Sequence, residues 1–324
     1  MSVYAFLLIG LVLLFAGGEA LVRGAVGAAR SLGVSPLLIG ITLVGFGTST
    51  PELVASVQAA LAGSPGIAIG NVVGSNTANI LLILAVAGLI GRINIAPGPF
   101  KRDGTVLLGA TALAGLAFAS GLVTRLIGLL FIALLLAYVT YSYLSERAAS
   151  ERNYRVSEVE ELSPVRKPLW RFLLLTVIGL AGVIFGARLL VGAAIDLARM
   201  FEIPETVIGI TVVAVGTSLP ELAACASAAL RKQGDVAFGN IVGSNIFNIL
   251  FILGTTAVIR PIAVPSEILR LDYWIMAGAS ILLVVVSYTG WKIIRREAAF
   301  LLLLYIGYMT LLFSPSARSL VGLS

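Results

Sequence analysis

The chain carries the same pair of motifs twice. Residues 39–53 read IGITLVGFGTSTPEL and residues 208–222 read IGITVVAVGTSLPEL; residues 70–81 read GNVVGSNTANIL and residues 239–250 read GNIVGSNIFNIL. Both pairs are offset by 169 positions, with eleven identities in fifteen and nine in twelve. Two matches at one offset mark an internal duplication, so the two halves are expected to fold alike and stack on each other.

What each half folds into follows from solvent. Of 324 residues, 59% are hydrophobic and 12% charged, where soluble domains have about 45–50% and about 25%. No soluble core hides that much apolar surface, so a soluble enzyme is excluded. Apolar segments fall at roughly 3–29, 36–62, 67–90, 104–121, 125–145, 169–200, 204–230, 234–257, 273–289 and 298–314, many near the ~20 residues a spanning helix needs. With 35 glycines and no alternation of apolar and polar residues, a β-barrel is not expected. The expectation is an all-α polytopic membrane protein of ten transmembrane helices. The one clearly polar stretch, 146–168, reads as a linker between a first repeat, 1–145, and a second, 169–324. Five spans per half turn the second copy upside down in the bilayer. Inverted repeats of this kind build transporters whose site lies at the repeat interface near the midplane.

Charge sets the orientation. With the N-terminus outside, sixteen Lys and Arg fall on the inner side and six on the outer. This predicts both termini extracellular, the linker cytoplasmic, and a multi-pass protein of the cell membrane. The apolar start lacks the positive region of a cleaved signal and reads as part of a first retained helix. The net charge of +6 forms no basic stripe, so nucleic acid is not an expected partner. A single cysteine, Cys225, and no histidine exclude a disulfide framework, a zinc cluster and the commonest catalytic base. No catalytic residue, cofactor or obligatory protein partner is expected; the partners are ions and the lipid bilayer.

The chemistry sits in the repeated motifs. A carboxylate in a bilayer is costly and marks function, and Glu52 and Glu221 hold equivalent positions in the two copies. An inverted axis brings them face to face, where two carboxylates cannot both stay ionised without a counter-charge. No Lys, Arg or His lies in the motifs, so the expected counter-charge is a bound metal cation, and two negative charges suit a divalent one. Thr48 lies one helical turn before Glu52, and Thr217 one turn before Glu221. Ser49 and Ser218 add hydroxyls. Pro51 and Pro220 lack an N–H and are expected to free the carbonyls of Gly47 and Gly216. On the following helix Ser75 and Asn79 are four apart, as are Ser244 and Asn248. Hard oxygens without thiolate or imidazole suit calcium, magnesium, sodium or manganese.

These blocks, GTSTPEL with GNVVGSNTANI and GTSLPEL with GNIVGSNIFNI, resemble the α-1 and α-2 repeats of the sodium/calcium exchangers, of the small prokaryotic antiporter type. The resemblance implies antiport of sodium against calcium by alternating access, with calcium extruded. It implies metal positions at Thr48, Ser49, Glu52, Ser75 and Asn79, and at Thr217, Ser218, Glu221, Ser244 and Asn248. Backbone carbonyls near Gly45 and Ala214 complete them. Asn248, where potassium-dependent relatives carry Asp, implies no potassium co-transport. The alternative is a calcium/proton antiporter using the same glutamates.

Other features read as structural. Gly70 to Gly74 and Gly239 to Gly243 are expected to pack helices closely. Asn71 and Asn240 either tie the bundle or touch the ion. Glu19 and Asp196 are expected to pair with Arg23 and Arg199, and Cys225 to fill apolar space.

Overall fold

Proline, glycine and the apolar runs set the element boundaries in the computed structural model, which describes residues 3–156, 168–200 and 214–313. The described chain is helical apart from four two-residue strands. Among the described residues, six helices are long and apolar enough to cross a membrane: Val3–Leu32, Pro65–Ile90, Arg125–Glu146, Leu169–Leu190, Gly234–Ile259 and Ile268–Tyr288. The pair Leu37–Thr48 and Thr50–Leu61, bent by 44° at its break, would make a seventh as one span. The helix that opens at Arg125 runs to Val156, well past the expected start of the linker. There Glu146 accepts the backbone N–H of Ser35 at 2.9 Å, so this carboxylate anchors the start of the helix that opens at Pro36 rather than lying in a solvated linker.

Two compact units divide the chain, and each takes segments from both sequence halves: Met1–Pro51 with Ala133–Ser244, and Glu52–Ile132 with Asn245–Ser324. In the first unit the helices Val3–Leu32 and Leu169–Met200 lie with backbones almost touching. A Cβ on Gly10 would stand 2.9 Å from the Gly186 carbonyl oxygen, one on Gly17 2.7 Å from the Val183 nitrogen, and one on Gly24 2.6 Å from the Thr176 nitrogen. Seven-residue spacing keeps these glycines on one helix face, the small-residue seam that lets membrane helices approach. Leu14, Val183 and Ala187 close the seam, with Leu219 and Ala223 of the helix Leu219–Leu230 packed against them. Glu19 pairs with Arg23, as expected, and also with Arg231. The side chain of Arg199 is not among those described, so the pairing expected of it with Asp196 lies outside the described contacts.

In the second unit the helices at Pro65–Ile90, Pro97–Ala119, Gly234–Ile259 (from Asn245 on), Tyr273–Tyr288 and Arg295–Phe313 are joined by two small antiparallel ladders. Ile93–Asn94 pairs with Lys292–Ile293, and Leu122–Val123 pairs with Ile262–Ala263. Adding 169 to the first strand of the first ladder gives 262–263, and adding 170 to Leu122–Val123 gives 292–293. Each half therefore lends a strand to the other in a reciprocal exchange. The one-residue increment falls at a turn where Gly121 (φ +75°) and Trp291 (φ +55°) hold matching positions. A second left-handed position repeats this asymmetry, with Gly63 at φ +79° in the first half and Lys232 at φ +58° in the second.

Candidate functional site

The two breaks have the same cause. Ser49 (φ −80°, ψ 5°) and Ser218 (φ −92°, ψ 7°) each leave helical geometry, and a proline two residues on cannot rejoin the hydrogen-bond ladder. A new helix starts at once, Thr50–Leu61 or Leu219–Leu230, with Glu52 or Glu221 in its first turn. Unsatisfied N–H groups there favour a carboxylate. Glu52 and Glu221 are each 1% exposed.

In the first unit Glu221 gathers oxygen from both halves. The Ser49 hydroxyl donates to Glu221 Oε1 at 3.2 Å. Thr48 Oγ1 lies 3.2 Å from Asn240 Oδ1 and 3.3 Å from the Gly45 carbonyl, two acceptors for its one proton. Ser218 and Ser244 are buried in the same unit, Thr217 is half-buried, and Ala214 opens the short helix before the break. Gly45 admits the backbone of Ser244, whose nitrogen would stand 3.1 Å from a Cβ there. Two buried oxygens, Glu221 Oε2 and Ser244 Oγ, have no hydrogen-bond partner among the described residues.

One backbone oxygen at the first break is already occupied: the Gly45 carbonyl accepts the Ser49 N–H at 3.1 Å as well as the Thr48 hydroxyl.

In the second unit Glu52, Ser75, Asn79 and Asn248 are all buried. Asn71 ties the helix after the break to the next one, donating through Nδ2 to the Glu52 carbonyl at 3.0 Å and to Ser56 Oγ at 2.9 Å. Asn248 donates to Asn76 Oδ1 at 2.9 Å, and Asn76 donates to the Asn245 carbonyl at 3.3 Å. Asn248 Oδ1 and both side-chain atoms of Asn79 are buried with no partner among the described residues. Asn79 and Asn248 each open a π-helical turn, Asn79–Ile83 and Asn248–Leu253. Such bulges are frequent at functional sites because the extra residue re-aims one side chain.

Sequence reasoning passed over three of these residues. Asn76 and Asn245 are identical in the repeats and lie in apolar helices, a signal of function or of polar glue. Ser56 and Cys225 stand 169 apart. Asn240 Nδ2 donates to Cys225 Sγ at 3.2 Å, as Asn71 does to Ser56, and the thiol reaches the Ala237 carbonyl at 3.5 Å, as Ser56 reaches Ala68. Cys225 is thus a hydrogen-bonding member of the cluster, not apolar filler. Asn240 takes the first of the two roles weighed for it in the sequence, tying helices together through Cys225 Sγ and Thr48 Oγ1. Gly239 and Gly243 pack closely as expected, a Cβ on the latter standing 2.8 Å from the Ile41 carbonyl carbon. A Cβ on Gly70 or Gly74 would meet nothing within 4 Å among the described residues, so close packing at the first pair is not seen there.

Buried oxygens without hydrogen-bond partners among the described residues, in motifs that contain a carboxylate and no lysine or arginine, are suited to a desolvated hard cation. Comparisons with known proteins agree in kind. The family model of the sodium/calcium exchanger protein matches twice, at residues 2–144 and 171–314. The sodium/calcium exchanger MaX1 of Methanosarcina acetivorans is 34% identical over 96% of this chain and 98% of its own length. A protein of Alkalimonas amylolytica that carries the antiporter name CaxA is 37% identical over 95% of this chain and 98% of its own. Among solved structures, the sodium-calcium exchanger NCX_Mj soaked with sodium and strontium superposes with a TM-score of 0.82 at 31% identity, covering 95% of this chain and 97% of that one.

Proposed function

This chain belongs to the sodium/calcium exchanger family, and from that membership we propose that it is a secondary antiporter exchanging sodium for calcium across the cell membrane by alternating access. It is a transporter of the multi-pass membrane class, not an enzyme. Calcium leaves because sodium runs inward down its gradient.

The observation that carries this reading is Glu221: a carboxylate 1% exposed, with Oε1 accepting the Ser49 hydroxyl at 3.2 Å and Oε2 without a hydrogen-bond partner among the described residues. A lone buried anion is expensive unless something positive shares its site. In the proposed arrangement Glu221 and its repeat counterpart Glu52 both serve calcium. Thr48, Ser49, Thr217 and Ser218 contribute from the breaks, and Ser75, Asn79, Ser244 and Asn248 from the bulged helices. The Gly45 carbonyl joins this set when the Thr48 hydroxyl turns off it, and the Ala214 carbonyl is its counterpart. Sodium ions compete for the same oxygens. Two carboxylates neutralise either cargo but not both, and mutual exclusion of the ions gives exchange rather than co-transport.

The double match of the family model and the reciprocal ladders support a ten-span architecture of two inverted five-helix repeats, with both termini outside. The glycine seam of Val3–Leu32 with Leu169–Met200 supports a moving layer of two smooth helices.

The test is calcium uptake into proteoliposomes under separate sodium, potassium and proton gradients. Uptake is expected with outward sodium alone. Uptake driven by a pH gradient in sodium-free vesicles would replace this reading with calcium/proton antiport. Glu221→Gln and Glu52→Gln are each expected to abolish sodium-driven uptake, and full flux in either variant would refute the shared site.

A further inference from the structure

An asparagine is a poor cation ligand until something fixes which end of its amide faces the ion. Oxygen and NH2 are nearly the same shape, and a half-turn about the last side-chain bond exchanges an attractive end for a repulsive one. Asn248 is 1% exposed, and its two ends are not equivalent: Nδ2 donates to Asn76 at 2.9 Å, while Oδ1 has no partner among the described residues.

The cause lies one residue further back. The backbone carbonyl of Asn245 can only accept, so the group of Asn76 that faces it at 3.3 Å is the NH2. That leaves Asn76 Oδ1 facing Asn248, and an oxygen there can only be met by an N–H. The second N–H of Asn76 points at Met276 Sδ, 3.6 Å away, another acceptor. Asn76 is itself 1% exposed, so no water competes to reverse the order. A main-chain carbonyl, which cannot change sign, thus dictates the polarity of two amides in succession.

We propose that Asn76 is a positioning residue for transport: through the relay Asn245 carbonyl, Asn76 amide, Asn248 amide, it makes Asn248 present an oxygen to the transported cation. This rests on the reading above that the cation sits against Asn248. The relay is one-sided. Asn79, the repeat counterpart of Asn248, is buried with neither amide atom bonded among the described residues, so its amide carries no such imposed sign.

A carboxylate offers oxygen at either end and needs no orientation, which separates this role from packing. Radioactive calcium uptake into proteoliposomes under an outward sodium gradient is measured for wild type, Asn76→Ala, Asn248→Asp and the double variant. Asn76→Ala is expected to raise the half-saturating calcium concentration at least about tenfold, the size of one hydrogen bond to a charged group. In the Asn248→Asp background the same substitution is expected to cost less than about threefold. An equal cost in both backgrounds, or none in wild type, overturns the proposal. If Asn76→Ala does not reconstitute, Asn76→Ser is read through the same cycle, since one hydroxyl cannot bridge both neighbours. If the wild type itself shows no sodium-driven uptake, the exchange reading has failed. The relay is then decided by the same four-way comparison of equilibrium calcium binding to detergent-purified protein.

Discussion

At the scale of single residues, one polar contact of the candidate site repeats across the two halves while its chemistry does not. Ser56 and Cys225 make the matching contacts to Asn71 and Asn240, yet one is a hydroxyl and the other a weaker thiol. Ser56→Ala leaves one Asn71 N–H without its acceptor and is expected to cost about 1–2 kcal/mol. Cys225→Ser restores the first half's chemistry and is expected to change stability by less than about 1 kcal/mol. Melting of the purified protein in detergent checks both. A larger loss for Cys225→Ser than for Ser56→Ala would mean that the thiol acts mainly by filling space. The carboxylates, hydroxyls and prolines of the motifs were legible in the sequence because charge and duplication advertise them in an apolar chain. Asn76 was legible only as a polar residue repeated at 245 in an apolar helix, a signal that does not separate a functional residue from polar glue. The hydrogen bonding of Cys225 was not legible, since cysteine in an apolar run is normally inert.

At the scale of elements, composition located the apolar segments to within a few residues at most ends, and Pro51 and Pro220 located the breaks. The π-helical turns at Asn79 and Asn248 were invisible. One added residue per turn re-aims a side chain without disturbing an apolar run that is hydrophobic on every face. Helix approach, by contrast, is written in glycine. Gly17→Leu places a branched side chain where even a Cβ would stand 2.7 Å from the Val183 nitrogen, and overpacking of that kind costs typically about 1–3 kcal/mol. Gly109, where a Cβ meets nothing within 4 Å, is the control: Gly109→Ala is expected to be neutral or to stabilise its helix by up to about 1 kcal/mol. Melting temperatures that fall equally in the two would remove the seam as a constraint. The left-handed turns differ in the same measurable way. Gly63→Ala should cost about 1 kcal/mol. Lys232→Ala, which already carries a Cβ at φ +58°, should be close to neutral.

At the scale of the whole molecule, the duplicated plan was legible from one offset of 169, and the mixing of the halves was not. Nothing local in a two-residue strand tells which partner it will find. Cargo binding is itself a whole-molecule property. Calcium at a hundred times its dissociation constant should raise unfolding free energy by about 2.7 kcal/mol. Thermal melts should show that gain in wild type, and its loss in Glu221→Gln would tie it to the motif carboxylate. The reciprocal ladders carry a further consequence. Strands 93–94 and 122–123 each complete themselves with the other half, through 292–293 and 262–263, which is how two copies of a single unit clasp in a twofold dimer. The covalent tether between them is then a convenience. Fragments 1–156 and 168–324, the first keeping the whole helix that carries Glu146, made as separate polypeptides in one cell, should find each other and co-purify, whereas either alone is left with backbone donors and acceptors unmet.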